Sequence, residues 1–185
     1  MRIEIISGSP RHNSVTHRLA LHLQQQIQLR SGHDVGVIDL RDGGLPPLQS
    51  VFLSPDSVPD EHRALAERMF GAEAFILVTP EYNGSYTPDL KNLLDHFPKQ
   101  TRKPFGIVTG SPGALGGIRA ALSLQALVYA LFGIGSPHML VTPQIEKKFD
   151  AEGNLTDESF AKSVDVFIKE YLWLAEKLVE EKVSA

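Results

Sequence analysis

The sequence predicts an α/β protein built on a doubly wound parallel sheet. Strand-like and helix-like segments alternate along the whole chain, five of each. The run at 74–78 is apolar throughout, as in a strand buried on both faces. Loops rich in Gly, Pro, Ser and Asn fall where strands end and helices begin.

Each element has its own signal. Residues 3–6 form a short apolar run, the first strand. Residues 19–29 are amphipathic, with Leu19, Leu23, Ile27 and Leu29 expected to face inward, and Ser31-Gly32 stops this helix. Residues 35–40 read as the second strand. A loop with Gly43, Gly44, Pro46 and Pro47 spans 41–58 and is expected to border a site or a partner subunit. A helix is predicted over 60–71 with Asp60 as its N-cap. Strand three is 74–78. Helix three covers 88–97, with Leu90, Leu93 and Leu94 on one face. Strand four is 105–108, and an apolar, buried helix follows at 118–132. Residues 139–141 form the centre of a fifth strand, and 150–154 a turn. The last helix, 157–182, turns Phe160, Val164, Phe167, Ile168, Tyr171, Leu172, Ala175, Leu178 and Val179 inward, with Trp173 in the core or an interface. Length and strand count favour the five-stranded, flavodoxin-like order 2-1-3-4-5, with helices on both faces, over the six-stranded dinucleotide order.

The 185 residues suit a single domain spanning 1–185, with no linker or repeat. Apolar residues are 42% and charged residues 22%, ordinary globular usage. No apolar run is long enough for a membrane span, and the N-terminus lacks a signal peptide's pattern. The absence of cysteine rules out disulfides and thiolate chemistry and fits the cytoplasm. A net charge of -4 without a basic tract argues against nucleic acid. The seven histidines show no zinc-site spacing.

Three loops point to a ligand. The first, 7–16, joins strand one to helix one. A helix N-terminus offers unpaired N–H groups and partial positive charge, which suits a phosphate. Ser9, Ser14 and Thr16 add hydroxyls and Arg11 a cation, although Ser14 acting only as a helix cap would give the same pattern. The second loop, 79–87, carries Tyr82 and Tyr86 among Pro80, Asn83 and Gly84. It can grip a planar ring or be an ordinary connection. The third, 109–117, has four glycines in its last eight residues, which permits close backbone approach. A phosphate at the first loop and a planar ring between the other two describe flavin mononucleotide (FMN).

On these residues the chain resembles the NAD(P)H-dependent FMN reductase family, flavodoxin-like enzymes that include quinone, azo-dye and chromate reducers. The family's G-S-x-R-x-x-S-x-N loop is matched by Gly8, Ser9, Arg11 and Ser14, with Thr16 where Asn is usual. P-E-Y-N-x-S is matched by Pro80, Glu81, Tyr82, Asn83 and Ser85, and L-K-N-x-x-D by Leu90, Lys91, Asn92 and Asp95. S-x-G-x-x-G-G-x-R is matched by Ser111, Gly113, Gly116, Gly117 and Arg119. The resemblance implies that Ser9, Arg11, Ser14 and Thr16 hold the FMN phosphate. Pro80, Glu81, Tyr82 and Asn83 would line the isoalloxazine, and Ser111 and Gly113 would meet its other edge. Lys91, Asn92 and Asp95 would be structural or interfacial. It further implies NADPH or NADH as cosubstrate, hydride transfer to flavin N5 without a side-chain base, a small-molecule electron acceptor, and a homodimer or homotetramer. The rival reading is a flavodoxin-type electron carrier. Residues 110–117 contain no aromatic that would cover the ring, which favours a reductase.

Overall fold

The computed structural model of the chain describes residues 1–183. Strand β1 (Arg2–Ser7) leads into helix α1 (Val15–Ser31). Ser14 caps α1 by accepting from the His17 N–H, and Gly32 ends it at φ 63°, where a residue without Cβ is favoured. Then follow β2 (Asp34–Asp39), α2 (Arg63–Gly71), β3 (Ala74–Pro80) and α3 (Pro88–Asp95). The chain closes with β4 (Pro104–Ser111), α4 (Ile118–Ala130), β5 (Ile134–Gly135), β6 (Leu140–Pro143) and α5 (Ala161–Val183).

The sheet is parallel, in the order β2-β1-β3-β4-β5, with β6 also paired to β4: the flavodoxin-like order. Successive strand residues feed opposite layers. Ala74, Ile76 and Val78 pack with Leu19, Leu23 and Ile27 of α1 and Phe167 and Tyr171 of α5. Phe75 and Leu77 pack with Met69, Leu90, Leu94 and Leu124 of α2, α3 and α4. The helices therefore cover both faces, and the core is two slabs divided by the sheet.

Several expectations need correction. The fifth sheet position is filled in two pieces: Ile134–Gly135 pairs with Pro104–Phe105, and Leu140–Pro143 with Val108–Ser111. Ser136 still donates to the Phe105 carbonyl, but Pro137 has no N–H to continue the ladder. Asp60 does not cap α2. It opens a 3₁₀ turn (Asp60–His62) and accepts from Arg63 at 2.7 Å, and α2 starts only at Arg63. Leu29 is 81% exposed, because the inner row Leu19, Leu23, Ile27 advances by four and leaves it outside. Trp173 lies outside the core. Helix α4 is buried on one face only, through Ala120, Ala121, Leu124, Leu127 and Val128, while Leu122 and Tyr129 are exposed.

One charge lies inside the sheet layer. Glu4 on β1 is 1% exposed and accepts from Arg68 at 2.5 and 3.1 Å and from Arg2 at 3.2 Å. Its β2 partner is Gly36, where a Cβ would stand 2.5 Å from the carboxylate. An enclosed carboxylate stripped of a partner is strongly destabilising. Arg68→Ala is expected to lower stability by about 2 kcal/mol, less than for a fully enclosed pair because Arg68 is partly exposed and Arg2 remains. A shifted urea midpoint checks this; an unchanged one would deny the pair its role.

Candidate functional site

The register of β1, β3 and β4 sets the site. Ser7 pairs with Val78, Pro80 with Gly110, and Ser111 with Pro143, so three loops leave one edge side by side. Strand order reverses between β1 and β3, where open α/β sheets bind ligands.

The first loop is held tightly. The Gly8 N–H donates to the Val78 carbonyl at 2.8 Å. A Cβ on Gly8 would stand 3.1 Å from that oxygen and 3.2 Å from Leu90, so any larger residue would have to push the loop or Leu90 aside by a few tenths of an ångström. Thr87 caps α3 by accepting from the Leu90 N–H, and its hydroxyl donates to the Gly8 carbonyl. Ser9, Ser14 and Thr16 are buried, with the Ser14 and Thr16 hydroxyls 2.9 Å apart. Arg11 is exposed and its guanidinium lies 4.7 Å from the Tyr82 ring centre, a cation–π contact.

Ser9, Arg11, Ser14, Thr16, Pro80 and Tyr82 line one cavity of about 100 Å³. It opens on the first turn of α1, which carries no acidic residue. Three hydroxyls, a guanidinium and unpaired helix N–H groups make an anion-binding donor set. The Tyr82 hydroxyl is buried without a partner, as expected of a donor awaiting an oxygen acceptor. The residues present therefore fit a phosphate ester. Asn13, Val15, Gly110 and Pro112 also line the cavity. Sequence reasoning did not single them out, though all four flank predicted site residues.

Beneath the loop lies a network that sequence reasoning missed. Arg41 donates to both Asp39 oxygens and, at 3.1 Å, to the His12 carbonyl. His17 Nδ1 is 3.1 Å from the Ser7 hydroxyl and 3.3 Å from Asp39. Burial pushes the Asp39 carboxyl up, but the Arg41 hydrogen bonds outweigh it and hold it below the ordinary carboxylate value. Burial holds His17 below 6.5 despite Asp39. The loop is thus tied to the end of β2 by a charged clamp. Lys91 pairs with Asp95, and Asn92 donates to the Leu45 and Pro46 carbonyls, pinning the 41–58 loop onto α3.

The other four predicted site residues lie outside that cavity. Tyr82 and Ser85 exchange backbone hydrogen bonds of 2.8 and 3.1 Å around Asn83 (φ 50°) and Gly84 (φ 86°). Both central residues take positive φ, the Asn-Gly pattern of a tight hairpin turn, with Asn83 at its exposed tip. Glu81 faces the start of α4, where its carboxylate meets Arg119. The Ser111 hydroxyl accepts from the Gly113 N–H at 3.1 Å, and residues 112–115 are exposed. Among the described residues no cluster of His, Asp and Glu is arranged to hold a metal, and no helix is long and apolar enough to cross a membrane.

Comparison with known proteins agrees with this geometry. The sequence pattern of a family described as NADPH-dependent FMN reductase matches residues 1–146. The FMN-dependent NADPH-azoreductase of Staphylococcus aureus is 31% identical over 172 residues, 89% of each chain. Among solved structures, FerB of Paracoccus denitrificans, a flavoenzyme NAD(P)H:(acceptor) oxidoreductase, superposes with TM-score 0.75 and 25% identity. The superposition covers 95% of this chain and 97% of FerB. A flavodoxin of Pseudomonas aeruginosa, 18% identical with TM-score 0.59 over 92% of this chain and 99% of its own, shares the fold. The family pattern spans the very residues that build the three loops, so the chain belongs to the NADPH-dependent FMN reductase family, oxidoreductases that use FMN and NADPH.

Proposed function

We propose that the cavity at the start of α1 holds the FMN phosphate through Ser9, Arg11, Ser14 and Thr16, and that the ring extends from there between the second and third loops. The observation that carries this is the single cavity in which residues of all three loops meet anion donors at a helix N-terminus. Pro80, Glu81, Tyr82 and Asn83 then border one edge of the ring, mainly through backbone, and Ser111 and Gly113 the other. FMN, when bound, supplies the capacity to take a hydride from the nicotinamide and pass electrons to an acceptor. The protein's share is orientation and electrostatics. The third loop would stabilise negative charge on the ring through its backbone N–H groups other than those of Gly113 and Gly116, which are taken by the loop itself. No side-chain base is needed. Residues 112–115 are exposed and carry no aromatic, so one ring face is open to a nicotinamide and then to a quinone, azo compound, metal ion or free flavin. The openness favours turnover over service as an electron carrier.

The whole chain acts as one domain and as a homodimer or homotetramer. Leu115, Leu122, Tyr129 and Phe132 are each more than half exposed along and beside α4, a surface suited to a second copy. A chain without cysteine suits the cytoplasm.

Protein saturated with FMN and freed of excess is expected to keep flavin absorbance bands that bleach within seconds of adding NADPH without oxygen. Bands that persist would favour the carrier. Arg11→Ala is expected to weaken FMN binding by about 1.5 kcal/mol, roughly tenfold, the low end for a charge-assisted bond because Arg11 is exposed. Unchanged affinity by fluorescence quenching would displace the phosphate from this cavity. His17 is depressed in the folded state, so the unfolded chain binds more protons below 6.5 and stability is lost as pH falls from 6.5 through the folded value. Urea midpoints of the FMN-free protein should decline over that window, and less steeply in His17→Gln.

A further inference from the structure

We propose that Glu81 is a positioning residue, whose carboxylate caps helix α4 from another segment and so fixes the third loop against the second. The inference rests on the flavin site proposed above, because these are the loops assigned to the ring's two edges.

Helix α4 has no cap of its own. Its N-cap residue is Gly117, at φ 86°, which has no side chain to accept from the first-turn N–H groups. A residue with a capping side chain does not fit there. A Cβ would stand 3.0 Å from Thr109, and the backbone angle is one that L-residues avoid. The acceptor comes instead from Glu81, 38 positions earlier: the Arg119 N–H donates to its Oε2 at 3.1 Å. The carboxylate is 16% exposed and stands at the positive end of the helix, where a negative charge is stabilising. The same residue's guanidinium also approaches Glu81, but at 3.4 Å and with Arg119 65% exposed, a geometry that contributes little. The backbone bond is the operative contact.

Another contact makes the cap a lock. The Thr109 hydroxyl donates to the Gly116 carbonyl at 3.0 Å, holding the end of the third loop to its own strand. The Ser123 hydroxyl has a single proton, which goes to the Arg119 carbonyl at 3.0 Å in preference to the Gly84 carbonyl at 3.4 Å, so it adds little between α4 and the second loop. Glu81 supplies the direct bond between the second loop and the start of α4. With its carboxylate turned to the helix, Glu81 has only its backbone left to offer a ligand between the two loops. Loss of the side chain would leave α4 uncapped and residues 111–117 free to shift relative to residues 80–84.

The test measures FMN affinity by flavin fluorescence quenching, the visible spectrum at saturating FMN, and the urea midpoint of the FMN-free protein. Glu81→Ala is expected to bind FMN about tenfold more weakly and to shift the bound flavin's spectrum. Glu81→Gln keeps an acceptor oxygen and is expected to stay within about threefold of the parent, with the parent's spectrum. Arg119→Ala keeps the backbone donor and is expected to leave FMN affinity unchanged. Glu81→Ala binding FMN with parental affinity and spectrum, while Arg11→Ala is weakened, would overturn the role of Glu81 and leave the flavin site standing. A lowered urea midpoint without any change in affinity or spectrum would overturn it too, by showing a purely structural contact. Glu81→Gln or Arg119→Ala as weak as Glu81→Ala would replace the cap by an ion pair. If neither Arg11→Ala nor Glu81→Ala alters affinity, the site itself is misplaced and the inference falls with it.

Discussion

Parallel pairing of β1, β3 and β4 is the constraint on which everything at the ligand edge depends. Parallel strands run in the same direction, so the loops that follow them emerge at one edge of the sheet although they are far apart in the chain. Within that frame Thr87 is the tie. One hydroxyl accepts from a first-turn N–H of α3, that of Leu90, and donates to the carbonyl of Gly8. It therefore joins the start of one helix to the loop before another. The loop has no slack at that point, since Gly8 is wedged between the Val78 carbonyl and Leu90.

Charge is handled differently above and below the sheet's end. At the cavity the Arg11 guanidinium and the hydroxyls are left with donor capacity to spare, as binding an anion requires. Beneath it, Asp39 is held through both oxygens by Arg41 and touched by His17, and a further Arg41 N–H goes to a loop carbonyl. The first arrangement is ready for a partner, while the second is already satisfied and serves as foundation. Preorganised donors over a rigid base are what the proposed flavin site asks of the protein, since a flavin ring itself carries the electrons.

The periodic elements were legible in the sequence. The uninterrupted run of β3, the Leu19–Leu23–Ile27 row and the Leu90, Leu93, Leu94 face each bury as their spacing predicts. Ser14 and Gly32 announce both ends of α1. Helix α4 was harder, because a helix apolar on most sides does not show by period which side is covered. The two residues of β5 are too few to show any period. Asp60 was misread since a 3₁₀ turn and a helix start share the same polar signal. At the candidate site, the loops and their donors could be named from local motifs. The Asp39–Arg41–His17 clamp and the direction of Glu81 could not, because both join segments whose neighbourhood exists only once the sheet has formed. The Asn83-Gly84 turn was readable from its dipeptide, although reading those residues as ligand-lining obscured it.

The break at Pro137 bears on how such a chain survives at high concentration. An open sheet presents a row of unpaired amides along its last strand, a template on which a stranger's strand can dock. Along β5 and β6 that row is cut into pieces of two and four residues, with a proline between them that cannot donate. Short, interrupted edge strands are poor templates for such docking. At this edge contact with other molecules is left to side chains, where shape and charge can discriminate, whereas β2 at the opposite edge keeps an unbroken run of six residues.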